Sequence, residues 1–203
     1  MPLPSPAALV LASGSAGRLR LLRAAGIDPE VVVSGVDETV DDGLDTAAAV
    51  EVLAERKAAV VAGARPDALV LGCDSMLDFG RRALGKPACG RDAADLWRRL
   101  SGREGTLCTG HCLIAPGGRR IRAVARTVVR FGAPTEAEIA AYVASGEPMA
   151  MAGGFCIDGL GAPFVEGIDG DPGNVIGLSL PLLRRMLADL GLAITDLWRV
   201  PAG

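Results

Sequence analysis

The stretch "AALVLASGSAGRLRLL" (residues 7–22) joins an apolar run to a row of small residues and then to leucines interleaved with arginines. This order predicts a strand, a tight turn and a helix. A helix N terminus carries unpaired backbone N–H groups and partial positive charge, so small residues there let an anion approach closely. Ser13, Ser15 and Arg18 are therefore candidate phosphate ligands. The alternative is that one of the serines only caps the helix.

Length and composition limit the classes of protein to which the chain can belong. Of the 203 residues, 50% are hydrophobic, so the chain is long and apolar enough to form one α/β domain over residues 1–203. The 21 basic and 24 acidic residues give a formal charge of −3, so a phosphate ligand would be held by a local site and not by a basic surface. Aromatic residues are only 3%, which argues against base stacking. Nucleic acid is not expected as a partner.

The cellular setting follows from the N terminus and the cysteines. No basic leader and no run of membrane-spanning length is seen, so we expect a cytoplasmic protein with no membrane partner. Five cysteines without a C-x-x-C pair fit reduced thiols. The group "CTGHC" (residues 108–112) is not expected to bind zinc, because on a strand His111 and the two cysteines point to opposite faces.

Hydrophobic periodicity predicts an α/β fold whose strands alternate with helices early in the chain and pair with one another later. Strands are predicted near 8–12, 31–33, 68–73, 106–115, 120–131, 155–158 and 162–167, and helices near 17–25, 46–63, 92–100, 135–145 and 180–190. Thr135 and Glu138 form a capping-box pattern, with Gly146 as the stop. The glycine-rich segment 152–174 is either a loop-rich edge or a wall that faces a ligand.

Charged residues occur where a core would exclude them. Lys57 lies on the apolar stripe of the helix predicted over 46–63, so it either extends outward to solvent or meets a buried or bound negative charge. Glu38 and Asp74 each follow an apolar run that is predicted to be a strand. In α/β proteins ligands bind beyond the carboxyl ends of strands, so Asp74 is placed to act as a base or to hold a cation; the alternative is a carboxylate that caps a turn.

Two segments match known sequence motifs only in part. Residues 80–86, "GRRALGK", match the first seven positions of a P-loop, but Pro87 offers neither the hydroxyl nor the N–H that the loop needs, and the segment reads as a hairpin turn. Lys86 stays a candidate phosphate ligand by itself. "GLSLP" (residues 177–181) fails G-x-S-x-G at its last position, and a single histidine makes a Ser-His hydrolase improbable. The candidates together suit a polyphosphate ester cut by water with a divalent ion.

The order of these motifs resembles the Maf family of nucleoside triphosphate pyrophosphatases, also called septum formation inhibitor proteins, over essentially the whole chain. The matching pieces are "LASGSAGR", "GVDE", "LAERKA", "LGCDSM", "LGKP", "LSGREG" with "TGH", "EIAAYVASGEP" and "AGGFCIDGLGAPFVEGIDGDPGNVIGL". Three of them, "CDSML", "TGH" and "NVIGLSLPLLR", are most similar to actinobacterial members.

The resemblance implies an α/β fold with a mixed twisted sheet, flanking helices and a cleft between two lobes, related to the inosine triphosphate pyrophosphatases. It implies hydrolysis of a nucleoside triphosphate between the α and β phosphates, assisted by Mg²⁺ or Mn²⁺. Carried over residue by residue, it makes Asp74 the proton acceptor, Glu38 the second acid, Lys57 and Lys86 catalytic lysines, and Ser13, Ser15 and Arg18 phosphate ligands. Glu38 and Asp74 are the expected metal ligands.

The chain departs from the family at three positions that the resemblance associates with substrate specificity: Gly17, Ser75 and Asp158. Met151 stands where the family often has a lysine. We expect an enzyme that removes non-canonical or surplus nucleotides. The alternative is a nucleotide-binding regulator of cell division in which turnover is incidental. The sequence leaves open whether two copies form a homodimer.

Overall fold

The computed structural model describes residues 8–41 and 43–199. The first seven residues, on which part of the expectation of no leader rests, lie outside the described residues. Among the described helices, none combines the length and the apolar character needed to cross a bilayer.

Within the described ranges the chain forms seven strands and seven α-helices. The strands are β1 (Leu9–Leu11), β2 (Glu30–Val31), β3 (Leu69–Phe79), β4 (Arg82–Leu84), β5 (Glu104–Ile114), β6 (Arg120–Phe131) and β7 (Val165–Asp169). The helices are α1 (Ala16–Ala24), α2 (Thr46–Ala64), α3 (Gly90–Leu100), α4 (Glu136–Ala144), α5 (Glu147–Ala150), α6 (Pro172–Ile176) and α7 (Leu180–Asp189).

The strands form one mixed sheet in the order β2-β1-β3-β5-β6-β7, with β4 paired to β3 outside that path. β1 pairs in parallel with β2 and β3, and the remaining pairs are antiparallel. Parallel pairing where strands alternate with helices, and antiparallel pairing later, confirms the predicted α/β class with a mixed sheet.

One edge of β3 is left open at its middle. β5 pairs with β3 from Val70 to Asp78, so β1 and β4 share the other edge. β1 pairs with residues 69–71 and β4 with residues 77–79. Between them, residues 72–76 of β3 have no strand neighbour on that edge among the described pairings. At ~3.3 Å per residue, this gap is about 16 Å long.

The two faces of the sheet are packed differently. α2 covers one face with a single apolar cluster: Val10, Ala12, Ala54, Ala58, Val61, Val70, Cys112 and Ile114. The other face carries two separate clusters. One lies around α1 and α7, and the other surrounds Trp97 between α3 and α4. These two clusters are separate apolar cores on the same face of the sheet. The cleft between two lobes that the resemblance implies stays a prediction.

Two glycines let α2 lie directly on the sheet. A Cβ on Gly72 would stand 2.3 Å from the carbonyl oxygen of Ala54, and one on Gly110 would stand 2.1 Å from that of Val50. Real Cβ atoms do not approach so closely, so only glycine fits at either position. The backbone of α2 is therefore held against β3 and β5 with no side chain between them.

Most predicted helices and strands are confirmed to within a few residues, as are the capping box at Thr135 and Glu138 and the hairpin turn between β3 and β4. The strand predicted at 155–158 is wrong, and the one predicted at 162–167 begins only at Val165. In this segment the backbone is bonded to a side chain and not to a neighbouring strand, because Glu147 accepts hydrogen bonds from the N–H groups of Leu160 and Gly161. The predicted strand at 68–73 runs on to Phe79.

Candidate active site

The turn before α1 is organised by its two serines. Ser15 is the N-cap of α1, and its hydroxyl oxygen accepts the backbone N–H of Arg18 at 3.4 Å. Ser13 Oγ accepts the N–H of Ser15 at 3.2 Å and a bond from Arg18 Nη1 at 2.9 Å. Ser15 therefore caps the helix, as the alternative interpretation held, and Ser13 orients the arginine. Both hydroxyls lie at the positive end of α1.

Arg18 is buried, with only 7% of its surface exposed. Its guanidinium donates to Ser13 Oγ at 2.9 Å, to Ser75 Oγ at 2.9 Å and to the carbonyl oxygen of Gly177 at 2.8 Å. All three acceptors are neutral, and no carboxylate lies within ion-pair distance of Arg18 among the salt bridges of the described residues. A buried charge is costly unless it is compensated, and Arg18 has no ion-pair partner among the described residues.

Gly177 makes room for this arginine. Its φ is +121°, in the region that favours glycine, and a Cβ there would stand 3.2 Å from Arg18 Nε. A side chain at position 177 would thus be strained and would press on the guanidinium.

On the α2 face, Lys57 joins two carboxylates. Its Nζ lies 2.6 Å from Asp74 Oδ1 and 2.6 Å from Glu38 Oε1. Lys57 and Asp74 are buried, whereas Glu38 is mostly exposed. The inward position of Lys57 is confirmed, and it meets a buried negative charge instead of extending to solvent. Three predicted residues from separate parts of the chain therefore come together.

Asp74 does not lie beyond the end of a strand, as the sequence interpretation assumed, but in the middle of β3, opposite Gly110. The apolar run stops at Cys73 while the strand continues, because β5 pairs with β3 on both sides of Asp74. Asp74 lies within the part of β3 that has no strand neighbour between β1 and β4. It does not cap a turn.

The pKa values of Asp74 and Glu38 are shifted in opposite directions by their surroundings. Burial raises the pKa of Asp74, with the Lys57 ammonium opposing that rise. The hydrogen bond from Lys57 lowers the pKa of Glu38, and the charges of Lys86 and Arg18 lower it further. Glu38 is therefore a stable carboxylate, and Asp74 is the stronger proton acceptor of the two.

Lys86 follows β4 and is exposed. No hydrogen bond from its ammonium is found within the described ranges, yet its charge lowers the pKa of Glu38. It therefore lies close enough to Glu38 to interact with it.

The three predicted specificity positions are engaged in contacts of their own. Ser75 Oγ lies 2.9 Å from Thr109 Oγ1 in addition to its bond with Arg18. Asp158 accepts from Arg20 at 2.5 Å and from the thiol of Cys156 at 2.8 Å. A Cβ on Gly17 would stand 3.1 Å from the side chain of Ile176 and 3.2 Å from its carbonyl oxygen.

Two of these contacts have a structural explanation. The Arg20–Asp158 ion pair links α1 to the glycine-rich segment. The glycine at position 17 is explained by the packing of α1 against α6. A role for Gly17, Ser75 and Asp158 in substrate choice stays a prediction.

Sequence reasoning missed four residues around Arg18: Thr109, His111, Asn174 and Gly177. Thr109 Oγ1 donates to the carbonyl oxygen of Asn174 at 3.1 Å, and Asn174 donates to the carbonyl oxygen of Leu107 at 3.1 Å. These bonds connect β5 to α6. The only signal in the sequence was the polar "TGH" within an apolar strand and the asparagine within "DPGNVIGL".

Glu38 and Asp74 supply the oxygen ligands that Mg²⁺ prefers, and Mg²⁺ is commonly held by one or two carboxylates together with substrate phosphates. Across residues 8–41 and 43–199, no group of three or more His, Cys, Asp or Glu side chains is arranged to hold a metal ion. Lys57 already contacts both carboxylates. The donor set thus fits a cation that shares its coordination with phosphate oxygens, and it is not a complete protein cage.

The chain matches the family model described as Maf-like protein over residues 8–190. Similar curated proteins are named nucleoside triphosphate pyrophosphatase, among them those of three actinobacteria. That of Streptomyces coelicolor is 60% identical, with 94% of each chain covered. That of Streptomyces avermitilis is 58% identical, again with 94% of each chain covered. That of Salinispora tropica is 53% identical, with 95% of this chain and 88% of the relative covered.

Two solved structures overlap part of the chain. The nucleoside-triphosphatase, or dITP/XTP pyrophosphatase, of Mycobacterium abscessus is 16% identical, covers 61% of this chain and 73% of its own, and has a TM-score of 0.39. The Ham1 protein of Staphylococcus aureus is 15% identical, covers 61% of this chain and 71% of its own, and has a TM-score of 0.43. The fold stated above rests on the pairing of the chain's own strands.

Proposed function

The chain belongs to the Maf-like protein family, and from that premise we propose that it is a nucleoside triphosphate pyrophosphatase. The reaction consumes one nucleoside triphosphate and one water, breaks the bond between the α and β phosphates, and releases a nucleoside monophosphate and pyrophosphate. The enzyme is thus a hydrolase that acts on an acid anhydride.

The uncompensated charge of Arg18 is the observation that carries this proposal. A buried guanidinium whose acceptors are Ser13, Ser75 and Gly177 is held in a fixed orientation without being neutralised. A triphosphate supplies the missing negative charge, and its oxygens match the fork of an arginine. The N terminus of α1 adds backbone N–H groups and partial positive charge on the same side.

Asp74 is the proton acceptor. Its carboxylate lies in the gap of β3, and burial raises its pKa toward the range in which a general base works best. Asp74 takes a proton from the attacking water while the new phosphorus–oxygen bond forms. The bond to the bridging oxygen then breaks, and that oxygen leaves with the pyrophosphate as an anion.

Lys57 holds Asp74 in place through its bond to Oδ1, which leaves Oδ2 to face the water. Glu38 keeps the Lys57 ammonium between two carboxylates. A divalent ion, Mg²⁺ or Mn²⁺, would be held by Glu38, Asp74 and the phosphates, and it would neutralise charge on the phosphate oxygens. Lys86 contacts the phosphates as well.

The substrates are free nucleotides of the cytoplasm, non-canonical or in surplus, and not nucleic acid. The acidic balance of the chain and its few aromatic residues support this choice, since neither suits a nucleic acid surface.

A screen of canonical and modified nucleoside triphosphates tests the proposal, with pyrophosphate and orthophosphate detected separately. We expect pyrophosphate from the wild type and at least ~10²-fold less turnover from Asp74→Asn, the lower range for removal of a general base. Water labelled with ¹⁸O identifies the phosphorus that is attacked. Binding without turnover in the wild type would contradict the proposal and favour a nucleotide-binding regulator.

A further inference from the structure

His111 is the only histidine in the chain, and the proposed mechanism does not use it. It lies in β5, fully buried, on the face of the sheet opposite α2. A buried imidazole needs partners for both ring nitrogens, because an unpaired polar group in a core is costly. The identity of those partners connects it to the anion site.

The partners of His111 fix its tautomer. The backbone N–H of Ser179 donates to Nε2 at 3.0 Å, so Nε2 must be an unprotonated acceptor. The proton therefore resides on Nδ1, which donates to the carbonyl oxygen of Thr109 at 3.0 Å. In this form the ring connects β5 to Ser179, the N-cap residue of α7.

Neither partner of His111 contacts Arg18 directly, but each is linked to one of the acceptors of Arg18. Ser179 stands two residues after Gly177, whose carbonyl oxygen accepts from Arg18 Nε. Thr109 contacts Ser75 through the two hydroxyls, and Ser75 accepts from Arg18 Nη2. Two of the three acceptors that orient the guanidinium are therefore placed by segments that His111 connects.

We propose that His111 is a positioning residue for anion binding: its neutral Nδ1–H imidazole holds the 177–179 turn against β5 and so sets the orientation of Arg18 toward the triphosphate. The proposal rests on the proposed function for the identity of the anion. The link between His111 and Arg18 rests on the hydrogen bonds alone.

The charges around the ring keep it neutral. Burial lowers the pKa of His111 to about 4, and the positive charge of Arg18 on α1 acts in the same direction. Asp171, just before α6, opposes them. Protonation would turn Nε2 into a donor that faces the N–H of Ser179, so the clamp holds only in the neutral form.

Three variants separate positioning from stability. His111→Phe removes both hydrogen bonds, and His111→Gln keeps a side-chain acceptor for the N–H of Ser179. Leu187→Ala is the matched control, since Leu187 is fully buried in the apolar cluster around α1 and α7 and its side chain can make no hydrogen bond. Affinity for inorganic triphosphate, which carries no base, is measured by titration calorimetry beside the melting temperature and the kinetics of hydrolysis.

We expect His111→Phe to raise the Kd for inorganic triphosphate, and the KM, by about tenfold, as for one weakened hydrogen bond to a charged group, with kcat little changed. His111→Gln should restore most of the affinity. Leu187→Ala should lower the melting temperature and leave Kd near that of the wild type. An equal rise of Kd in His111→Phe and Leu187→Ala would overturn the proposal.

Nitrogen NMR of the tag-free wild type gives an independent readout that needs no variant to fold. A single imidazole signal set with Nδ1 protonated, shifted when triphosphate binds, is expected. A protonated Nε2, or no response to triphosphate, would overturn the proposal. Binding that depends on His111 without hydrolysis of any nucleotide would refute the proposed function alone, and hydrolysis with unchanged binding in His111→Phe would refute the positioning role alone.

Discussion

Asp74 and Ser75 are neighbours in β3, yet their side chains lie on opposite faces of the sheet and join clusters of opposite charge. On the α2 face, Asp74 and Glu38 share one ammonium, that of Lys57, which leaves a net negative charge. On the other face, Ser75 and two further neutral acceptors surround Arg18, which leaves a net positive charge. The two-residue period of a strand thus places a buried carboxylate and an acceptor of a buried guanidinium side by side, with no direct ion pair between the two charged groups.

The carboxylate face is expected to control the chemical step. Asp74→Asn keeps the size of the side chain and removes the proton acceptor, so kcat should fall by at least ~10²-fold. Binding of inorganic triphosphate should persist, because Arg18 is untouched on the other face. Pyrophosphate release and calorimetry on the same protein measure the two effects, and near-normal turnover would break the assignment of roles.

The close packing of α2 can be broken without touching a charged residue. Gly110→Ala would place a Cβ 2.1 Å from the carbonyl oxygen of Val50, so α2 must shift, and we expect a loss of about 3 kcal/mol in the free energy of unfolding, the upper range for overpacking. Gly63→Ala is the control, since Gly63 is exposed in α2 with open space around it. That change should stabilise the protein by about 1 kcal/mol. Equal effects in urea denaturation would contradict the close contact.

Acid should affect the two faces with opposite signs. The pKa of His111 is lowered to about 4 from an ordinary 6.5, so the unfolded chain binds more protons and its stabilising contribution is lost as pH falls from 6.5 to 4. The loss should reach about 3 kcal/mol. The pKa of Asp74 is raised above 3.8, so its contribution to stability grows as pH falls.

Urea denaturation between pH 7 and pH 4 measures this contrast. The stability of the wild type relative to His111→Gln should decline with acid, and its stability relative to Asp74→Asn should rise. Two differences that change in the same direction would show that one of the pKa directions is wrong.

Anion binding by Arg18 is expected to depend on the geometry of the guanidinium as well as on its charge. Arg18→Lys keeps the positive charge but cannot reach three acceptors at once, so KM should rise about tenfold with a smaller change in kcat. Arg23→Lys, an exposed arginine on the same helix paired with Asp28, serves as the control. If both variants behave like the wild type, charge alone binds the anion.

The smallest effect is expected at the exposed Arg20–Asp158 ion pair. Arg20 and Asp158 are exposed to 62% and 31%, so Arg20→Ala should change the free energy of unfolding by only ~0–1 kcal/mol. Because Asp158 is a predicted specificity position, the relative use of different nucleotides should change more than stability does. A substrate screen next to a thermal melt compares the two, and a large loss of stability with an unchanged substrate profile would assign the pair to the fold.

Periodicity predicted the elements whose packing is regular, such as α2, where Lys57 fell on a stripe of buried residues, and β5 and β6, which are long and apolar on at least one face. It ended β3 too early, because Asp74 and Ser75 interrupt the apolar run while the strand is held by pairing with β5. Glu38 and Asp74 could be predicted as site residues because they are acidic residues that directly follow apolar runs.

The acceptors of Arg18 could not be found in the same way. The Gly177 contact is a backbone carbonyl, and the contacts of Thr109 and His111 depend on a turn that comes near β5 only in the folded chain. The helix α6, five residues long and opened by Asp171 and Pro172, is too short for periodicity to detect.

The close contact of α2 with Gly72 and Gly110 has a consequence for the rate of the proposed reaction. Where two main chains touch, no side-chain rotamers lie between them, so the spacing between the backbones that carry Lys57 and Asp74 is closely fixed. If Asp74 is the base that we propose, this fixed spacing should keep the reorganisation energy of the chemical step small, the condition under which fixed charges lower a barrier most.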